Sequence, residues 1–71
     1  MKRKTYPERT PISIEYDGKV REGSYYEEKG MITVEFGWGK KTTQIGNSPA
    51  ETLARIMLRE LLDEAKTRGD L

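Results

Sequence analysis

Residues 31–45, MITVEFGWGKKTTQI, decide what kind of fold this chain can have. Ile32, Val34 and Phe36 alternate with Thr33 and Glu35, the period of a strand with one buried face. The glycines and lysines after Phe36 make either a phosphate-gripping loop or a turn. A Walker-type loop needs G-x-x-x-x-G-K-[ST] opening a helix. Here the residue five before Gly39 is Val34, Gly39-Lys40 is followed by Lys41, and Lys41-Thr42-Thr43-Gln44-Ile45 has the pattern of another strand. The dinucleotide fingerprint fails as well, since Thr42 stands where its third glycine belongs. A hairpin with Gly39-Lys40 as a two-residue loop would set Trp38 opposite Lys41, Phe36 opposite Thr43, Val34 opposite Ile45 and Glu35 opposite Gln44. The stretch therefore predicts antiparallel strands rather than a nucleotide-binding α/β unit.

Upstream, Ile12-Ser13-Ile14-Glu15-Tyr16 alternates and ends at Asp17-Gly18, a turn signal. A two-residue loop would set Ile14 opposite Arg21. A three-residue loop closed by a left-handed Gly18 would set Ile14 opposite Val20 and Glu15 opposite Lys19, and is preferred because it matches apolar with apolar and opposite charges with each other. The next strand runs from about Lys19 to Tyr26 and reverses at Glu27-Glu28-Lys29-Gly30. Another three-residue loop there would align Tyr26 with Ile32, Ser24 with Val34 and Val20 with Trp38. In that register Glu22 falls on the apolar face and needs a partner.

Downstream, Ser48-Pro49-Ala50-Glu51 has the form of a capping box with proline at the first helical position. Ala50, Leu53, Ala54, Met57, Leu58, Leu61, Leu62 and Ala65 then recur at spacings of three and four, an amphipathic helix. Gly69 is its predicted stop. Glu51–Arg55, Arg59–Asp63 and Glu64–Arg68 are spaced to pair along the helix surface.

The expected architecture is α+β: an antiparallel meander of four strands, three if the first is irregular, with one long C-terminal helix on one face. Residues 11–71 form this single domain, and residues 1–10, MKRKTYPERT, form a flexible basic arm. The expected core is Ile12, Ile14, Val20, Tyr26, Ile32, Val34, Phe36 and Ile45 against Leu53, Met57, Leu58, Leu61 and Leu62. The opposite sheet face would carry Ser13, Glu15, Lys19, Arg21, Tyr25, Thr33, Glu35, Thr42 and Gln44.

Composition removes several chemistries. The chain has 71 residues with neither Cys nor His, so thiolate nucleophiles, disulfides, the usual zinc sets and the neutral-pH imidazole shuttle are missing. Glu27-Glu28 and Asp63-Glu64 are adjacent carboxylates that do not converge on one atom, and no nucleophile or oxyanion device accompanies them. No enzymatic activity, metal or cofactor is expected. No apolar run approaches the ~20 residues of a membrane span, and the basic start lacks an apolar signal region, which points to a cytoplasmic protein without a membrane partner.

The total charge is +1. Within residues 1–10, Lys2, Arg3, Lys4 and Arg9 against Glu8 leave +3, so the remainder carries −2. The favoured function is a non-catalytic protein-binding or accessory module. Self-association is one form of it, with Ile56 as the oligomer contact because it lies outside the main helical stripe. The alternative is weak nucleic-acid binding through Lys2, Arg3, Lys4, Lys19, Arg21, Tyr25, Lys40 and Lys41, with Trp38 as a further aromatic among them; the outer sheet face could instead form a partner platform centred on Tyr25, with Met31 nearby. The segment GKKTTQIGNSPAETLA, residues 39–54, is loosely similar to the last strand and helix start of phage-integrase arm-binding domains. That resemblance implies a sheet entering the major groove, although Glu15 and Glu35 dilute the cationic face such binding needs.

Overall fold

A computed structural model of the chain describes residues 8–71. Its elements are β1 (Thr10–Tyr16), β2 (Lys19–Glu28), β3 (Met31–Phe36), β4 (Gly39–Gln44) and α1 (Ala50–Arg68). The strands form one antiparallel sheet in the order β1-β2-β3-β4, and α1 packs on one face of it, the α+β arrangement expected from the alternation and the helical stripe. The first strand is regular and begins at Thr10, two residues before the alternation at Ile12. Lys2, Arg3 and Lys4 of the arm lie outside the described residues.

All three turns differ from those inferred. Tyr16 pairs with Lys19 and Ile14 with Arg21, so Asp17-Gly18 alone forms the first loop. Glu28 pairs with Met31 and Tyr25 with Val34, leaving Lys29-Gly30 as the second. Both loops take positive φ at both residues, 51° and 78° in the first, 53° and 76° in the second, which is the type I′ geometry. Its twist matches that of the strands it joins, and this outweighed the cross-strand matching that favoured longer loops. In the third, Phe36 pairs with Gly39, so Gly37-Trp38 is the turn instead of Gly39-Lys40. Only Gly37 has positive φ there, 56°, as in a type II′ turn.

The physical consequence depends on parity. The two short loops move β2 by one residue relative to the expected register, which exchanges its faces. Lys19, Arg21, Gly23 and Tyr25 therefore share the helix side with Ile12, Ile14 and Tyr16, while Val20, Glu22, Ser24 and Tyr26 occupy the open side. Val20 is 68 % exposed, not core. Glu22 needs no buried partner. The third turn shifts β4 by an even number of residues, so its faces stay as inferred.

The core combines Ile12 and Tyr16 of β1, Ile32 and Val34 of β3, and Ala54, Met57, Leu58, Leu61 and Leu62 of α1. Phe36, Tyr25, Ile45 and Leu53 pack against it half-buried. Strand β2 contributes little hydrocarbon, and Gly23 explains how the helix tolerates that. A Cβ built there would lie 2.8 Å from the Glu35 carbonyl oxygen and 3.0 Å from Leu58 Cδ1. The missing side chain is thus a notch into which Leu58 descends, joining the β1 and β3 halves of the core across β2.

Helix α1 begins at Ala50, with Pro49 at the cap position and no side-chain capping bond. The capping box is therefore not made; Leu53 N–H donates to the Pro49 carbonyl at 3.1 Å. At the other end Gly69 is left-handed, its N–H donates to Lys66 O at 3.1 Å, and Asp70 N–H donates to Ala65 O at 2.8 Å. This is a Schellman closure, as glycine after the last apolar residue predicts.

Of the three pairs spaced along the helix, only Glu51–Arg55 forms, at 3.5 Å. The others are redirected to the sheet. Asp63 accepts from the Tyr16 hydroxyl of β1, and Glu64 accepts from Lys41 of β4 at 2.5 Å. Lys66 reaches Asp17 in the first turn at 2.6 Å, so the C-terminal half of α1 is tied to both sheet edges.

Candidate functional site

The β3–β4 turn presents the most unusual side chain. With Gly37 and Trp38 as the loop residues, Trp38 stands at the tip and is fully exposed, with a relative accessibility of 105 %. It contributes no burial to the fold. Behind it a cleft of about 300 Å³ opens between the turn and the end of the helix, with Phe36, Leu61 and Ala65 as its apolar part and Arg68 and Asp70 on its rim. Arg68 donates to Asp70 at 3.0 Å. Gly39 keeps this corner tight, since a Cβ there would sit 3.3 Å from the Phe36 carbonyl oxygen, with Leu61 Cδ2 at 3.4 Å.

The open sheet face has a different chemistry. Glu15, Glu22, Glu28 and Glu35 lie on it against Arg9 and Lys40, with Tyr26 and Met31 among them. Arg9 donates to Glu35 at 2.6 Å and stands 5.0 Å from the Tyr26 ring centroid. The hydrogen bond to Glu35 and its charge hold the guanidinium above its ordinary pKa. Thr33 and Thr42, directly opposite each other, share a hydroxyl hydrogen bond of 2.8 Å. Thr33 is only 6 % exposed although α1 lies on the other face.

The cations singled out from sequence do not gather on this face. Lys19, Arg21 and Lys41 lie on the helix side, as does Tyr25, which packs against the core instead of centring a platform. Lys41 is occupied by Glu64, whose hydrogen bond raises its pKa above the usual lysine range. Arg21 has a buried Nε without a hydrogen-bond partner in the protein. Lys40 alone of these projects from the open side. Lys66, 6.0 Å from the Tyr16 ring centroid, is likewise raised, mainly by its hydrogen bond to Asp17.

The adjacent carboxylates have separate tasks. Asp63 and Glu64 serve opposite edge strands, and Glu27 and Glu28 project to opposite faces of β2. Among the described residues no cluster of three acidic ligands could hold a metal, and no helix is long and apolar enough to cross a membrane.

Ile56 is 53 % exposed. It borders a groove between the helix flank and edge strand β4, together with Leu53, Met57, Glu60, Lys41 and Thr43. The sequence singles out Ile56 by its place off the helical stripe and groups Trp38 with the cations as an aromatic, but a turn at Gly39-Lys40 places the indole within a strand and not at a hairpin tip. The usable signal was Gly37, whose freedom to take positive φ allows the earlier turn. Comparison with known protein families, with curated proteins and with solved structures found no match to the chain.

Proposed function

We propose that this domain is a non-catalytic protein-binding module that engages its partner through Trp38 and the cleft behind it. The observation that carries this reading is the fully exposed indole at a two-residue turn. An exposed tryptophan adds nothing to folding, whereas tryptophan inserted into a partner is among the side chains that dominate interface energies. The turn places Trp38 beside Phe36 and Leu61, so the partner it suits presents an apolar ridge or side chain with a polar surround that meets Arg68 and Asp70. The cysteine-free sequence is in keeping with work in the reducing cytoplasm.

The sheet supports a protein partner better than nucleic acid. Phosphate recognition draws on clustered cations, and the open face instead carries four glutamates against Arg9 and Lys40. Affinity capture with immobilised wild-type and Trp38→Ala proteins tests the proposal. A partner retained only by the wild type, whose addition shifts the emission of the single tryptophan toward that of a shielded indole, is the expected result. Equal capture by both proteins overturns it. Salt-sensitive quenching of Trp38 by single-stranded DNA or RNA would replace the reading with nucleic-acid binding.

A further inference from the structure

We infer that the β4 edge and the neighbouring flank of α1 join two copies of this chain in a symmetric dimer, independently of the Trp38 surface. Strand β4 is the last in the sheet, and among the described residues nothing pairs with its outer edge. Above that edge, Ile56 is half exposed and Leu53 only partly buried, so polar backbone and hydrocarbon are left uncovered side by side. A copy of the same edge satisfies both at once. Antiparallel β4–β4 pairing continues the sheet across a two-fold axis at a strand spacing of ~4.8 Å. The two helices then lie on one face, where Ile56 and Leu53 can meet their counterparts at an ordinary helix separation of ~8–10 Å.

Charge selects the register. Centring the pair on Thr42 sets Lys40 opposite Gln44 and Lys41 opposite Thr43, with no like charges facing. Centring it on Lys41 would oppose that lysine to itself, a destabilising arrangement. Edge lysines ordinarily discourage pairing, but Lys41 is bound by Glu64. In the Thr42 register it also approaches the partner's Glu60, which lines the same groove as Thr43. The other sheet edge is less suited, because Pro11 in β1 lacks an amide to donate.

Sedimentation of the full chain over about a hundredfold concentration range should show twice the monomer mass at the upper end. Ile56→Asp should sediment as a folded monomer. Because the sequence contains no cysteine, Thr42→Cys gives a second readout. At the two-fold axis the paired Cα atoms fall within the ~4.4–6.8 Å that a disulfide spans, so mild oxidation should cross-link this variant and leave Ser13→Cys on the β1 edge uncoupled. A monomeric wild type, an Ile56→Asp protein that remains dimeric, or a Thr42→Cys protein that stays uncrosslinked would each overturn the inference.

Discussion

Replacing Gly23 by alanine probes the closest approach between helix and sheet. The new Cβ would lie 2.8 Å from a backbone carbonyl and 3.0 Å from a Leu58 methyl. The methyl can rotate away, but the Glu35 carbonyl belongs to β3 and moves only with the strand. Such over-packing costs ~1–3 kcal/mol. Alanine also restricts the unfolded chain, which returns ~0.4–1 kcal/mol and would blur the comparison with wild type. Gly46→Ala cancels that contribution, because nothing lies within 4 Å of its added Cβ. The difference between the two variants should therefore be close to the full ~1–3 kcal/mol of over-packing. In a domain of this size that corresponds to roughly 5–20 °C in Tm, out of a total stability of only ~4–10 kcal/mol. Thermal and urea unfolding followed by circular dichroism measure it. If the two variants melt within about 2 °C of each other, the notch does not position the helix and the account of the core is wrong.

Trp38→Ala should leave Tm almost unchanged, within ~0.5 kcal/mol as for an exposed site, and iodide should quench the wild-type indole freely; a stability loss of several times that size would show that Trp38 packs in the fold. Tyr16 has its pKa raised above 10.0, first by donating its proton to a hydrogen bond with Asp63 and then by burial. Its contribution is thus complete below the unfolded tyrosine pKa and is lost as pH rises through the folded value. Tyr16→Phe should flatten that alkaline decline in a pH series of urea melts, while leaving part of it, since Lys41 and Lys66 are shifted in the same direction. Arg21→Met keeps the stem's packing and removes an unpartnered buried Nε, so it should raise stability by ~1 kcal/mol in chemical denaturation; a marked loss would reveal a partner for the guanidinium.

The legible and illegible parts of the site divide at the turns. Ile56 could be found because a helix has a fixed angular step, so its distance from the apolar stripe follows from sequence alone. The place of Trp38 at a hairpin tip could not, because whether it caps a hairpin or lies within a strand depends on a slip of the turn. Both Asp17 and Lys29 adopt a left-handed backbone that their side chains alone disfavour. The adjacent glycines and the twist of the paired strands offset that cost. Arg21 and Tyr25 were assigned to the open face for the same reason, since one residue of slip is enough to turn a strand over.

By itself the sequence determined the four alternating segments, the amphipathic helix with its glycine stop, and the absence of thiol and imidazole chemistry, all of which rest on local periodicity and residue type. Only the tertiary structure decided the registers, the facing of β2, and the partners of Asp63 and Glu64. Those outcomes compare contacts between residues far apart in the chain, where strand twist, the Gly23 notch and the position of the helix act together. Local pattern therefore fixes which elements exist, while the balance of long-range packing fixes which side chains remain available for a partner.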